Sequence, residues 1–426
     1  MIKVVVAGGG WSGCAAALAA AKAGAQVLVL ERTDMLLGTG LVGGIFRNNG
    51  RYTAAEEAIA MGGGDLFVAM DANVRHKGIS FPGHHHASFY DVCSMEPLVK
   101  RVLQNYGIDI RTQARVVDVQ KYAKTIQAVI LDNGEVIPGD VFVDTTGTAG
   151  PMGNCLKYGN GCAMCILRCP TFGPRLSLCA KAQVKEFMGQ KTDGSFGAMS
   201  GSCKLNKESL SLELRGKLAK EGAVVLPVPP NLIKSGTLGK KACSQYALPE
   251  YAANLVLIDT GHVKLMTSYF PLNDLRTLPG LENARYEDPY GGGVGNSVRY
   301  MGIAPCNNNL KVDGVDNLFC AGEKFGVLVG HTEAIVTGLV AGNNAVRHSL
   351  DMQYLTVPRV LATGDYISFV KEQMISEAGL RLRYTFSGSV YFERMKAIGL
   401  YVIDRAEIAD RVEKAGLTDI YSRCLV

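Results

Sequence analysis

No uninterrupted apolar run of about 18 residues occurs in this chain of 426, so no segment reads as a membrane span. Excess charge of one sign is scarce too. Against 39 Asp and Glu stand 44 Lys and Arg, a formal charge of +5, and the cations are scattered rather than gathered into a stripe. Such a surface disfavours a nucleic-acid partner without ruling one out. No signal peptide is expected either, since Met1 to Ala7 read as a strand running into a glycine turn. The expected setting is cytoplasmic. Repeats and low-complexity tracts do not occur, and with 47% hydrophobic and 19% charged residues the chain has the balance of a folded globular protein. What it has in abundance is glycine, 50 residues, and cysteine, 12. In a cytoplasmic chain cysteines are expected as thiols, metal ligands or redox groups rather than structural disulfides.

The length allows two or three domains. Val4 to Ala7 form a β-branched run, Cys14 to Ala23 are alanine-rich and helix-forming, Gly24 stops that helix, and Gln26 to Leu30 read as a second buried strand. Strand, turn, helix and strand within about 30 residues is the spacing of a βαβ unit, so a parallel sheet is expected. Between the first strand and the helix lies Gly8-Gly9-Gly10-Trp11-Ser12-Gly13, with Glu31 following Gly13 by 18 residues. Each part has a task in holding a dinucleotide. Gly8 makes the tight turn, Gly10 lets the backbone approach a pyrophosphate, Gly13 lets the helix pack on the sheet, and Glu31 accepts from the ribose hydroxyls. The helix N-terminus supplies N–H groups and positive potential to the phosphates. Trp11 and Ser12 lie inside the turn and Arg32 follows Glu31, completing this part of the candidate cofactor set.

Further on, a helix is expected over Glu96–Gln104 and strands over 108–120, 125–131 and 136–144, with a hairpin turn at Asp132-Asn133-Gly134. Residues 317–322 read as a strand ending in glycine, with a helix from His331 to His348 after it, and the chain beyond about 350 reads as helical, with Ile408, Val412 and Leu417 on a sparse apolar face. The expected organisation is a nucleotide-binding part over 1–150, an inserted cysteine-rich substrate domain over 151–285, a returning part over 286–350 and a helical tail over 351–426.

Four segments in order carry a family resemblance: Val6 to Arg32, Phe89 to Thr148 with its Val-Asp-Thr-Thr-Gly-Thr ending, Pro279 to Ala284, and Asn317 to Arg347. Together they resemble the clan of FAD-dependent oxidoreductases that includes the glucose-inhibited division protein A flavoproteins and the folate-dependent tRNA uridine methyltransferases. The resemblance implies an α/β Rossmann-type FAD-binding fold, a parallel sheet with an antiparallel meander, and one FAD per chain. It implies that Thr146 and Gly147 close under the adenine half, that Gly322 and Glu323 lie near the ribityl and pyrophosphate, and that the helix starting at His331 and Thr332 points its N-terminus at the flavin pyrimidine. Reduced flavin carries negative charge there, which a helix dipole stabilises. His331 and Glu333, placed by the resemblance near the isoalloxazine, are candidates for proton handling. In both RNA-modifying relatives a cysteine follows the first βαβ unit, whereas Leu36 to Gly44 contain none.

Cys162-Ala-Met-Cys165-Ile-Leu-Arg-Cys169-Pro170, flanked by Cys155 and Cys179, gathers five thiols within 25 residues. Three readings stand open: a [4Fe-4S] cluster on Cys162, Cys165, Cys169 and either Cys155 or Cys179; a redox dithiol of Cys162 and Cys165; or packed thiols and structural zinc. His84-His85-His86 cannot all reach one ion from an extended chain, although one of them could line the substrate cleft. Arg168, Arg175 and Arg299 are candidates for holding an anionic substrate. The expected function is an FAD-dependent oxidoreductase passing hydride or electrons at flavin N5 to a small-molecule substrate or a redox partner protein. Its rivals are a folate- and FAD-dependent RNA-modifying enzyme and an electron-transfer subunit of a larger complex.

Overall fold

The computed structural model describes residues 1–147, 171–196, 202–233, 236, 238, 246–267, 270–287 and 301–426. It opens with β1 (Lys3–Ala7), α1 (Trp11–Lys22) and β2 (Gln26–Leu30), then α2 (Gly50–Ala60), β3 (Val74–Phe81), β4 (His84–Tyr90) and α3 (Met95–Asn105). β5 (Asp109–Arg111), β6 (Val116–Tyr122), β7 (Thr125–Leu131), β8 (Val136–Pro138) and β9 (Val141–Asp144) follow. β10 (Cys203–Leu205), β11 (Ala223–Pro227), β12 (Asn254–Thr260) and β13 (His262–Leu265) make another sheet, before β14 (Leu318–Cys320) and α4 (His331–Ser349) return the chain to the first. The tail contains α5 (Ala362–Gln373), α6 (Ser389–Ala397) and α7 (Arg405–Lys414).

The principal sheet runs β14-β9-β1-β2-β5, parallel throughout, with Val4 opposite Val141 on one side and Val27 on the other. Helices or meander cover both faces, so the apolar runs of β1, β2 and β9 are buried on both sides rather than alternating. The expected strand over 108–120 is two strands. Asp109–Arg111 extends the parallel sheet, while Val116–Tyr122 begins the antiparallel meander β6-β7-β8. Between them Gln113 takes a positive φ of 54° and its N–H reaches Thr33 O, which turns the chain from one sheet to the other. The expected strand over 136–144 divides likewise, because Asp140 N–H bonds Lys3 O at the start of the sheet.

A second core gathers Leu205, Leu214, Leu218, Leu257, Val263 and Leu265 around the β12-β13 sheet, and a third packs Ile45, Phe81 and Phe89 against Val256 and Ile258. Leu178, Cys179 and Ala182 belong to the principal core, Phe187–Met188 pairs with Gly302–Ile303, and Cys203 belongs to the second core. The tail is no appendage. Ile408 and Val412 are buried as the sparse stripe predicts, and Glu57 of α2 accepts from Ala362 N (2.6 Å) and Thr363 N (2.9 Å), capping α5 from across the core. Among the described residues no helix is long and apolar enough to cross a membrane.

α1 and α4 cross closely because both carry small residues at the contact. A Cβ on Gly338 would lie 2.3 Å from Ser12 O, and one on Gly342 would lie 2.1 Å from Ala16 O. This contact sets where the two helix N-termini point.

Candidate dinucleotide site

The glycine turn separates into two kinds of position. At Gly8, with φ of +103°, a Cβ would sit 2.5 Å from Thr145 O, and at Gly13 one would sit 1.9 Å from Gly8 O, so the fold itself forbids side chains there. Gly10 is different. Its φ of −70° suits any residue, and a Cβ would meet nothing within 4 Å. The bare backbone at Gly10 therefore serves the open space in front of α1. That helix starts with no side-chain cap and no acidic residue in its first turn, leaving its positive end for an anion. Beside it Glu31 accepts from Gly9 N (2.8 Å) through Oε2 and from Thr33 N (2.8 Å) through Oε1, which fixes the carboxylate at the end of β2.

The opposite wall comes from the ends of β9 and β14. Thr146 donates through N (3.0 Å) and Oγ1 (2.7 Å) to Asp144 Oδ1, and this turn sets Gly147 at a φ of +71° facing Glu323 Oε2. Gly322 lies against Ser12, and its N–H is held by Thr337 Oγ1 at 3.0 Å. The first residues of the two helices meet: the rings of Trp11 and His331 are 5.9 Å apart. α4, entered through Gly330, also lacks a side-chain cap, and Thr332 Oγ1 in its first turn is buried without a hydrogen-bond partner. The first turns of the two helices thus meet, α1 with no acidic residue and α4 with Glu333, whose carboxylate is paired with Arg51, and the uncapped start of α1 suits a pyrophosphate.

His331 is oriented by Tyr90. The Tyr90 hydroxyl donates to Gly40 O (2.8 Å), so at 3.2 Å the His331 Nδ1 is the donor to the phenol oxygen and Nε2 the acceptor. A Cβ on Gly43 would strike the imidazole at 1.7 Å, so the bare backbone there makes room for the ring. Lys264 donates to Val42 O and Gly43 O (2.8 Å each), and Lys204 to Leu41 O (3.3 Å), which fastens this loop to the second sheet. Sequence reasoning missed Tyr90, Gly43, Lys204 and Lys264. No local pattern marks them, because their partners are about 50 to 290 residues away.

Several candidates take other places. Glu333 is fully buried, binds the Arg51 guanidinium Nε at 3.0 and 3.1 Å, and accepts from Thr385 Oγ1 (2.6 Å) and Phe386 N (2.9 Å). A carboxylate so committed holds the start of α4 in place. Arg32 donates to Gly173 O. Cys179 is buried beside Asp144 and Glu186, and burial followed by the Asp144 charge pushes its thiol well up. Its carboxylate neighbours are balanced by the Lys324 ammonium, which pairs with Glu186. Arg175 is half-buried, whereas Cys155, Cys162, Cys165, Cys169, Arg168 and Arg299 lie outside the described residues.

The three adjacent histidines do not converge. His85 is exposed, His86 half-buried, and His84 fully buried between Phe81 (4.6 Å) and Tyr246 (5.0 Å), with Nδ1 2.9 Å from Asn48 Nδ2. Burial, then the Arg51 charge, lowers the His84 pKa from 6.5 to about 3. A base whose folded pKa is depressed contributes stability that is complete above its unfolded pKa and lost as pH falls toward its folded one. Stability should therefore fall as the pH drops below about 6.5 toward about 3. His84→Gln should flatten that slope in urea titrations at pH 6.5 and 5; an unchanged slope would place the histidine in water.

The sequence profile of the family described as Glucose inhibited division protein A matches residues 3–247 and 255–353. The fold matches the crystal structure of Aquifex aeolicus GidA in form II with a TM-score of 0.69 at 18% identity, covering 99% of this chain and 74% of that one. Form I matches with a TM-score of 0.62 at 17% identity, covering 97% and 78%. An FAD-dependent monooxygenase, ntnJ, from Nectria sp is 31% identical over 160 residues, 34% of this chain, and the chain spans only 36% of that relative's length.

Proposed function

Because the chain belongs to the glucose inhibited division protein A family, we propose that it is an enzyme that binds one FAD between α1 and α4 and works as an oxidoreductase. The observation that carries this reading is the meeting of the two uncapped helix N-termini at Trp11 and His331, with open space before Gly10. Bound FAD would supply hydride or electron transfer at its N5. Gly10, Ser12 and the α1 N-terminus would hold the pyrophosphate, Glu31 and the turn at Thr146 and Gly147 the adenosine half, and Gly322 and Glu323 the ribityl side. At the reacting end, the Tyr90 bond would hold His331 as the Nδ1–H tautomer and orient its ring for proton handling. Thr332 Oγ1 stands ready for an acceptor on the same helix end.

An anaerobic absorption spectrum of the purified protein, with cofactor release and iron and sulfide assays on the same sample, tests the reading. Flavin bands and about one FAD per chain are expected. Iron in addition would establish the cluster reading of Cys155 to Cys179 and favour single-electron chemistry; flavin without iron would leave a dithiol or plain thiols there. A protein that neither carries nor takes up FAD would overturn the proposal.

A further inference from the structure

Away from the glycine turn, three side chains from three separate stretches line up. Cys93 follows β4, His262 opens β13, and Glu287 is held by its backbone N–H on Lys204 O of β10. Cys93 Sγ lies 3.3 Å from His262 Nε2, and His262 Nδ1 lies 3.7 Å from Glu287 Oε2. Cys93 is exposed, with His262 and Glu287 each about a third exposed behind it. The order is that of an activated nucleophile: a thiol, a base within reach of its proton, and a carboxylate that orients the base. Other charges face the group as well. Asp91 accepts from Cys93 N (2.8 Å) and is paired with Arg75 (2.8 Å). Burial and then the Asp91 charge raise the Cys93 thiol despite the Lys204 ammonium, while burial and then Lys204 lower the His262 imidazole, so at rest the pair is a protonated thiol facing a neutral base, and the base acts only as the sulfur attacks.

We propose that Cys93, His262 and Glu287 form a thiol-exchange site that takes low-molecular-weight disulfides. In the forward step the Cys93 S–H proton passes to His262 Nε2 while the sulfur attacks one sulfur of the disulfide. The new S–S bond forms as the old one breaks, and the departing thiolate takes the proton back from His262, leaving a mixed disulfide on Cys93 and one free thiol. Electrons balance within the exchange, so no further oxidant is needed. Disulfide exchange is favoured over acyl transfer because an acyl intermediate needs N–H donors for its oxyanion. The Cys93 N–H is already committed to Asp91. Exchange spreads its charge along three sulfurs in line and has no such requirement, while the Lys204 cation offsets the thiolate.

The test treats the whole protein with dithiobisnitrobenzoate at pH 7 and follows each cysteine by peptide mass spectrometry, with exposed Cys424 as the internal reference. Cys93 should form the mixed disulfide at least tenfold faster than Cys424. His262→Gln should erase that advantage without slowing Cys424, and Glu287→Gln should reduce it severalfold. Should His262→Gln fail to fold, the pH profile of the unaltered protein decides: a Cys93 rate that levels off below pH 8 supports the relay. A rate climbing through pH 9 in parallel with Cys424, or equal rates at the two cysteines, would overturn it.

Discussion

Arg51→Met should destabilise the protein by about 3–5 kcal/mol, the range expected when one partner is removed from a buried ion pair. Both side chains are almost fully shielded, at 4% exposure for Arg51 and 0% for Glu333. Methionine matches much of the arginine stem, so the loss would come chiefly from the carboxylate rather than from a cavity. Glu333 would keep only Thr385 Oγ1 and Phe386 N, two dipoles in place of a cation. Adding Glu333→Gln should recover part of the loss, since it removes the stranded charge. Urea unfolding of both variants is the measurement. A drop below about 1 kcal/mol for Arg51→Met, the level of a solvent-screened pair, would show that water reaches the site. The effect should extend to the cofactor, because Arg51 also donates to Val329 O (3.2 Å), just before Gly330 and the start of α4.

The glycine turn offers the second large effect, in which two neighbouring substitutions part ways. Gly10→Ala should leave folding intact, since φ is −70° and the Cβ meets no protein atom, yet weaken FAD binding about a hundredfold, close to 3 kcal/mol. Gly13→Ala should do the reverse first. Its Cβ would lie 1.9 Å from Gly8 O, so α1 must shift off the sheet and the melting temperature should fall whether or not flavin is present. Flavin titration and thermal unfolding of both variants give four numbers. If Gly10→Ala bound flavin like the parent, the space before α1 would not be where the pyrophosphate lies, and the assignment of the turn would fail while the fold stood.

The contrast shows what kind of information each position carried. Both glycines belong to one local pattern, and the pattern was legible because βαβ spacing and the glycine turn involve residues within about 30 of one another. It assigned Gly10 to the pyrophosphate and Gly13 to packing, but it held no sign of Thr145, which arrives from β9 and closes on Gly8 and Gly13. Glu333 illustrates the same limit. Its place in the first turn of α4 was foreseeable, but its partner Arg51 is 282 residues away and Thr385 another 52, so its task as an ion-pair anchor was not. Cys179 likewise read as a candidate ligand from its spacing, and only the fold brought Asp144 and Glu186 beside it.

The sequence by itself determined the parallel βαβ opening, the antiparallel meander, the long helix from His331 and the family likeness that points to FAD. Each rests on periodicity, turn chemistry or contiguous motifs, which act over a few residues. Tertiary structure alone decided the break of the strand at Gln113, the docking of the tail through Glu57, the fastening of loop 38–43 by Lys204 and Lys264, and the alignment of Cys93, His262 and Glu287. These depend on which distant segments share a core, and burying apolar surface sets that through the whole packing arrangement, with no trace in local spacing.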